Sequence, residues 1–425
     1  MNRKRLLFSG FIIFTLTAAA GAANFNPNGY YSISEYLDRI YGPDDNAGLT
    51  AFPVLNIPMG GRSEGMAGAF SAVADDISFI EFNPAGSSML KKTELAFFHN
   101  NWIADTKIEA AAFASRYKNL GFAAGAKWLF TPFTEYNLFG ERVSKGYYSE
   151  AVAILNASYN FLSSYYFSGI SAGASLKGAF RFVPDYTDNE DNVIAGSGKS
   201  QSAVMVMGDL GVLTRFDFLK PYQSRDRNTS LAFVIRNLGP PAKSDPLPTV
   251  MTAALSYQPM RPLLVAFDFS VPLNLQNPQL SEKPYWSTGV SVSVTNFLSM
   301  RAGFLAKHGN VRVALGSAIT LKSVAVEVNY TLDLLTQLQP LNRVSVGVRF
   351  DLGDQGRGSL AARVDELYLA GLDAYAGGNY GEAESFWKEA LRLNPKFEPA
   401  RESLATLTRA LEVERKIDSM QRLDF

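Results

Sequence analysis

The chain has 425 residues, with 40 Lys and Arg against 40 Asp and Glu and no cysteine. That length exceeds one ordinary soluble domain and suits a large barrel with an appendage. The charge balance argues against a nucleic-acid partner. The missing cysteine excludes disulfides, zinc-thiolate sites, thiol catalysis and a lipidated terminal cysteine.

The first segment reads as an export signal. Asn2-Arg3-Lys4-Arg5 is a basic start, Leu6–Thr17 is apolar, and Ala18–Ala23 supplies small residues for cleavage. A membrane-anchoring helix is the alternative, but about a dozen apolar residues fall short of the roughly 17 needed to span. Residues 1–23 are therefore expected to be removed. Beyond them no apolar run reaches the ~18 residues of a transmembrane helix, so a membrane-resident mature chain has to cross as a barrel.

Residues 24–92 show little strand periodicity. Ser32-Ile33-Ser34-Glu35 opens a short helix in capping-box fashion, with Gly42 placed to end it. A Gly-rich segment follows, Gly60 to Ala69, and then Asn83-Pro84-Ala85-Gly86. Gly61, Gly65 and Gly68 allow close backbone packing. Pro84 fixes its own φ and drives Asn83 toward extended geometry, where Asn83 can cap neighbouring backbone groups. Asp75 and Asp76 have two readings of equal weight: pairing with luminal Arg312 or Arg349, or capping the segment that starts at Ile77.

From 93 to 352 alternation of period two dominates. Val265, Phe267, Phe269 and Val271 alternate with Ala266, Asp268 and Ser270, and Val324, Val326, Val328 and Tyr330 with Ala325, Glu327 and Asn329. One face is bulky and apolar, the other small or charged, which suits a crowded lumen better than the wet face of a soluble sandwich. About fourteen antiparallel strands are expected, so the fold class is an all-β transmembrane barrel. Short connections such as Lys118-Asn119 alternate with long ones such as 131–146, 183–199 and 271–283. That is the pattern of tight periplasmic turns and longer outer loops, and an even strand number leaves both termini periplasmic. The connection at 219–227 is long for a turn. Trp102, Tyr117, Trp128 and Trp286 stand near strand ends as girdle candidates. Gly121 and Gly125 mark either a bend in the third strand or room for the N-terminal segment. Arg236, Asp268, Arg312, Glu327, Arg343 and Arg349 are expected to form a luminal charge network, in preference to direct contact with a substrate carboxylate.

Residues 353–363 read as a linker and 364–425 as a small helical module. Gly371, Tyr375, Gly378, Tyr380, Ala383, Trp387, Ala390 and Pro395 fall at the spacing of one tetratricopeptide repeat, an unrelated helical hairpin being the alternative. One repeat is too few for independent stability, so the module is expected to lean on the barrel or on a periplasmic protein partner.

The stretch Gly61-Arg62-Ser63-Glu64-Gly65-Met66-Ala67-Gly68-Ala69, through Ala74-Asp75-Asp76 to Asn83-Pro84-Ala85-Gly86, resembles the long-chain fatty acid outer-membrane transporter (FadL-type) family. The resemblance spans roughly residues 56–352; the helical tail is not part of the family's basic pattern. It implies that residues 24–92 form a hatch or plug folded inside the barrel and carrying Asn83-Pro84-Ala85. It also implies passive uptake of hydrophobic ligands in the outer membrane and a lateral exit through the wall. Gly61, Arg62, Gly65, Met66, Gly68, Asp75, Asp76 and Asn83 to Gly86 are then the gating residues. The competing reading is an outer-membrane scaffold or secretion-associated barrel whose tail binds a partner. A general porin is disfavoured by the plug.

Catalytic signatures are missing from the sequence. His99 and His308 are its two histidines, far apart and near strand ends. No G-x-S-x-G, P-loop or H-E-x-x-H pattern occurs, so neither an enzyme nor a metal or cofactor is expected.

Overall fold

The computed structural model describes residues 44–102, 105–136, 139–187, 192–307, 310–333 and 341–421. The expected signal at 1–23, the helical start at Ser32–Glu35 and His308 lie outside the described residues.

Fourteen strands close into one antiparallel barrel. They are β1 (Glu94–Asn101), β2 (Lys107–Tyr117), β3 (Leu120–Tyr136), β4 (Arg142–Phe161), β5 (Ile170–Phe182), β6 (Ala203–Phe216) and β7 (Thr229–Leu238). The second half comprises β8 (Thr249–Met260), β9 (Leu263–Leu273), β10 (Tyr285–Ser293), β11 (Leu298–Lys307), β12 (Asn310–Leu321), β13 (Val324–Asp333) and β14 (Leu341–Asp351). Each strand pairs with its sequence neighbours, and β1 closes on β14 with Glu94 opposite Asp351 and Asn101 opposite Val344. Closure leaves no strand edge, which is what lets a sheet stand in hydrocarbon.

The alternation sorts side chains between two environments. On β9, Phe267 and Phe269 are exposed outward while Ala266, Asp268 and Ser270 are buried inward. Trp128, Leu155, Phe180, Leu210 and Leu315 continue this exposed apolar surface around the wall. In water such a belt would far exceed the apolar patches that soluble proteins tolerate. In lipid it is the expected outer face of a transmembrane barrel. Among the described residues no helix is long and apolar enough to cross a membrane.

Two expectations about boundaries are corrected. Residues 131–136 and 142–146, read as a long loop, extend the β3–β4 hairpin, with Thr131 opposite Tyr148 and Phe133 opposite Gly146. Thr131, Phe133, Thr134 and Tyr136 are β-formers, and the Phe133 ring fills the space above Gly146. The loop between these strands thus shrinks to residues 137–141.

The helices begin earlier than the expected linker end at 363. In chain order the helices are α1 (Gly61–Gly65), α2 (Ser197–Gln201), α3 (Arg357–Ala376), α4 (Tyr380–Leu393) and α5 (Glu398–Gln421). The Asp354 carboxylate accepts from the N–H groups of Gly356 and Gly358, satisfying orphan donors at the start of α3. Ser359 to Arg363 are adequate helix formers, so this cap sets the boundary.

Two compact units result. The first contains the barrel and everything inside it; the second comprises Asn160–Ile170 together with Gly353–Phe425. In the second unit Trp387 is buried, and its indole N–H donates to the Tyr368 carbonyl at 3.2 Å. A Cβ on Gly371 would lie 2.3 Å from that indole nitrogen, so only glycine fits there. Ala383 and Ala390 are fully buried on the same face of α4 as Trp387, the Tyr375 ring lies tilted 5.8 Å from the Trp387 ring, and Tyr380 lies 5.4 Å from Tyr375. Gly378 takes φ 79° in the turn between α3 and α4, and Pro395 follows the end of α4. Phe397 packs edge-on against Tyr368 and Tyr165.

Candidate functional site: the luminal hatch and its chamber

Residues 44–92 fold inside the barrel, and they do so without regular ladders. Short helical turns at Pro53–Asn56, Gly61–Gly65, Ile77–Glu81 and Pro84–Met89 carry the chain. Backbone groups that such turns leave open must find partners in the wall. Two devices hold the segment against it.

The first is close approach at wall glycines. A Cβ on Gly121 (β3) would sit 2.1 Å from the Ser87 carbonyl carbon, one on Gly173 (β5) 2.3 Å from the Pro84 oxygen, and one on Gly303 (β11) 2.2 Å from the Met66 carbonyl carbon. Gly65 of the hatch faces Gly316 of β12 in the same manner. Gly125 faces Ile80 of the hatch, so the small residues of β3 make room for it. Around Asn83-Pro84-Ala85-Gly86 the contacts are polar. The Asn83 Oδ1 accepts from the Ala85 N–H at 3.0 Å and its Nδ2 donates to the Ser71 carbonyl at 2.8 Å. Asn156 donates to the Pro84 carbonyl and Ser171 to the Ala85 carbonyl, while Gly86 lies against the Phe79 ring. Gly68 takes φ +83° beside Phe82.

The second device is charge. Arg62 pairs with Asp75 at 2.6 Å and lies 3.8 Å from Asp76. Asp76 meets Arg349 of β14 at 3.0 Å and also accepts from the Ser78 N–H, so it both pairs and caps. Arg349 further contacts Glu94 and Glu327, each at 3.5 Å, and Arg301 lies 3.6 Å from Glu327. Glu94 in turn accepts from the Ile77 N–H at 2.7 Å. A separate buried pair joins Glu64 of α1 to Arg343 at 2.7 Å, with Ser345 and Thr331 donating to the same carboxylate. Lys127 reaches Glu81 and the Ile57 carbonyl, and Arg215 donates to the carbonyls of Val73 and Ala74.

The six wall charges singled out from sequence thus fall into separate groups. Glu327 and Arg349 join the Asp76 cluster, and Arg343 belongs to Glu64. Asp268 accepts from the Ser71 N–H at 3.0 Å. Arg236 donates to the Glu81 carbonyl at 3.4 Å and stands over the Phe82 ring. Arg312 lines the cavity described next and does not reach Asp75 or Asp76 in any described contact. Glu64, Glu94, Lys127, Arg215 and Arg301 were overlooked. All but Glu64 are charges on the inward parity of a strand, and that parity was the signal available.

A polar chamber of about 210 Å³ remains beside the hatch. Its walls carry Arg236, Lys307, Arg312 and Arg343 with Glu64, Glu81 and Asp268, and Leu55, Phe82 and Leu305 add apolar surface. It sits where the strands approach the long loops. On the other side of the wall lies a depression of about 700 Å³. Ala111, Ala126, Ala153 and Gly178 form its floor between Phe97, Trp128 and Phe180, and its lining includes the inward-facing Phe98 and Lys127. His99 and Glu109 stand at its rim, 2.7 Å apart. Among the described residues no cluster of acids and histidine could hold a metal.

A family model described as an uncharacterised protein family, UPF0164, matches residues 42–355. The chain belongs to the UPF0164 family. Its match covers the hatch and the whole barrel and stops before α3. A UPF0164 protein of Treponema pallidum (strain Nichols) is 31% identical over 87% of this chain and 85% of its own length. A second from the same organism is 26% identical over 85% and 76%. Among solved structures the chain is similar to the CymD monoaromatic hydrocarbon channel, with TM-score 0.47 and 13% identity over 70% of this chain and 97% of that one. It is also similar to the Pseudomonas putida toluene transporter TodX, with TM-score 0.41 and 13% identity over 63% and 90%.

Proposed function

We propose that this UPF0164 protein passes hydrophobic or amphipathic small molecules, long-chain fatty acids being the model class, across an outer membrane. The observation that carries this is the filled lumen. Hatch backbone meets wall backbone at Gly121, Gly173, Gly303 and Gly316, so the described hatch residues occupy the lumen that an open porin leaves to water. What remains is a chamber with a mixed polar and apolar lining and an apolar depression in the wall. In this reading an amphiphile enters from the loop end and sets its anionic head among Arg236, Lys307 and Arg312. Movement of the hatch turns at Ile77–Gly86 then releases it toward β2–β5, where small side chains thin the wall and offer a lateral exit. Alternating loop lengths support a reading in which the long loops face outward and both termini are periplasmic. The protein acts as a conduit.

Radiolabelled oleate binding to the refolded chain, followed by uptake into proteoliposomes, is the test. Binding no better than that of an unrelated barrel would sink the proposal.

A second reading concerns the helical unit alone. The Gly371–Trp387 packing supports a tetratricopeptide-like hairpin, and such hairpins are peptide-binding surfaces. Deleting residues 357–425 then abolishes capture of a periplasmic protein while oleate uptake persists. Loss of uptake together with capture would speak against a separate docking role.

A further inference from the structure

The two ends of the barrel differ in charge. The six short-side connections contain Lys118, Lys220, Arg225, Arg227, Arg261 and Lys322 against Asp217 and Asp226. Among the described residues, the connections at the other end contain Lys199, Lys243 and Lys283 against Asp105, Glu141, Asp185, Asp245 and Glu282. One rim is therefore basic and the other acidic, although the whole chain is neutral.

On the basic rim the cations follow a repeated local pattern. In four connections an outward apolar residue immediately precedes a cation: Tyr117-Lys118, Leu219-Lys220, Met260-Arg261 and Leu321-Lys322. The four apolar side chains are 62%, 74%, 53% and 61% exposed. Asp217 and Asp226 are already engaged, by Arg227 and Lys220 and by Lys91. Lys118, Arg261 and Lys322 are exposed. The Lys118 ammonium folds 5.4 Å over the Tyr117 ring. Lys118 and Lys322 each take φ near 52° in two-residue turns, which fixes both side chains at the strand ends.

An apolar anchor with a cation one residue beyond it matches the junction of acyl chains and phosphates, where a long side chain keeps its stem in hydrocarbon and its charge at headgroup level. We propose that the basic rim is a binding surface for anionic phospholipid headgroups, such as phosphatidylglycerol, in the leaflet at the short-turn end. The apolar members enter the interfacial hydrocarbon, and Lys118, Arg261 and Lys322 take the phosphates. The surface orients the barrel in an asymmetric membrane and stands independently of what the lumen carries.

The full chain in detergent micelles is titrated with dioleoyl phosphatidylglycerol and dioleoyl phosphatidylcholine, and the retained lipid is read by native mass spectrometry. Phosphatidylglycerol is expected to be retained about tenfold more at low salt, with the preference shrinking as salt rises. K118Q/R261Q/K322Q brings the ratio near one, whereas K118R/R261K/K322R and the opposite-rim variant K199Q/K243Q leave it in place. K322Q alone lowers it by up to about fivefold and serves if the triple variant does not fold. Equal retention of the two lipids by the native chain overturns the proposal. So does an unchanged ratio in a folded glutamine variant, or loss of the preference in excess glycerol phosphate, which would indicate recognition of phosphate without a membrane.

Discussion

At Gly121 one added methyl group would overlap the Ser87 backbone, while at Gly178 a Cβ meets nothing within 4 Å. The pair separates luminal packing from general strand propensity. Gly121→Ala is expected to displace the hatch near Ser87 and raise single-channel current in planar bilayers, and Gly178→Ala is expected to leave it at the native level. Equal currents from both variants would remove the wall glycines from the account of gating. The Glu64–Arg343 pair makes a complementary test because both partners are buried. Breaking a buried pair leaves one charge uncompensated in a low dielectric, at a cost of about 3–5 kcal/mol. Glu64→Gln is expected to lower the urea midpoint of the reconstituted barrel, and Glu64→Gln with Arg343→Gln to recover part of the loss. A double variant no better than the single one would show that the pair is not the unit that matters.

Among elements, the loop between β5 and β6 has its own electrostatic tie. Asp185 accepts from the N–H groups of Gly196 at 2.9 Å and Gly198 at 2.8 Å, and these bonds, Gly196 first, hold its carboxyl below the usual range. A carboxylate with a depressed folded pKa stabilises fully above its unfolded value, near 3.9, and loses that contribution as pH falls through the lower folded value. Hydrogen exchange at Gly196 and Gly198 is therefore expected to stay protected at pH 5 and to open only well below pH 4. Asp185→Asn should be open at every pH, and protection unaffected by the variant would rule out this tie. In the helical unit, Gly371→Leu drives a side chain into the indole of Trp387. Its expected signature is a red-shifted tryptophan emission with helical signal lost and the heat-modifiable migration of the barrel retained.

Taken whole, the molecule is a wall built by local rule and an interior built by long-range contact. The fourteen strands and their inward and outward faces were legible because period-two alternation is a property of consecutive residues. The helical tail was legible for a similar reason, since its small and aromatic residues recur at helical spacing. Strand ends were less so: residues 131–146 read as a polar loop because their β-formers lack a continuous apolar face, and pairing with the partner strand carries that hairpin beyond the apolar belt. The start of α3 was misplaced because one side chain, Asp354, caps it from outside the periodic segment.

The partners of each luminal charge could not be read in this way. Arg349 reaches Glu94 across 255 positions and Arg343 reaches Glu64 across 279, distances that exist only after β1 closes on β14 and the hatch lies inside. Sequence placed charges on the lumen face, but which carboxylate each guanidinium meets depends on strand register and hatch depth. By itself, the sequence determined a barrel with one apolar face, a hatch-like segment ahead of it and helices behind. The tertiary structure alone decided how that hatch is held, because a turn-rich segment has no ladder of its own and must complete its hydrogen bonds and ion pairs with residues from nearly every strand around it.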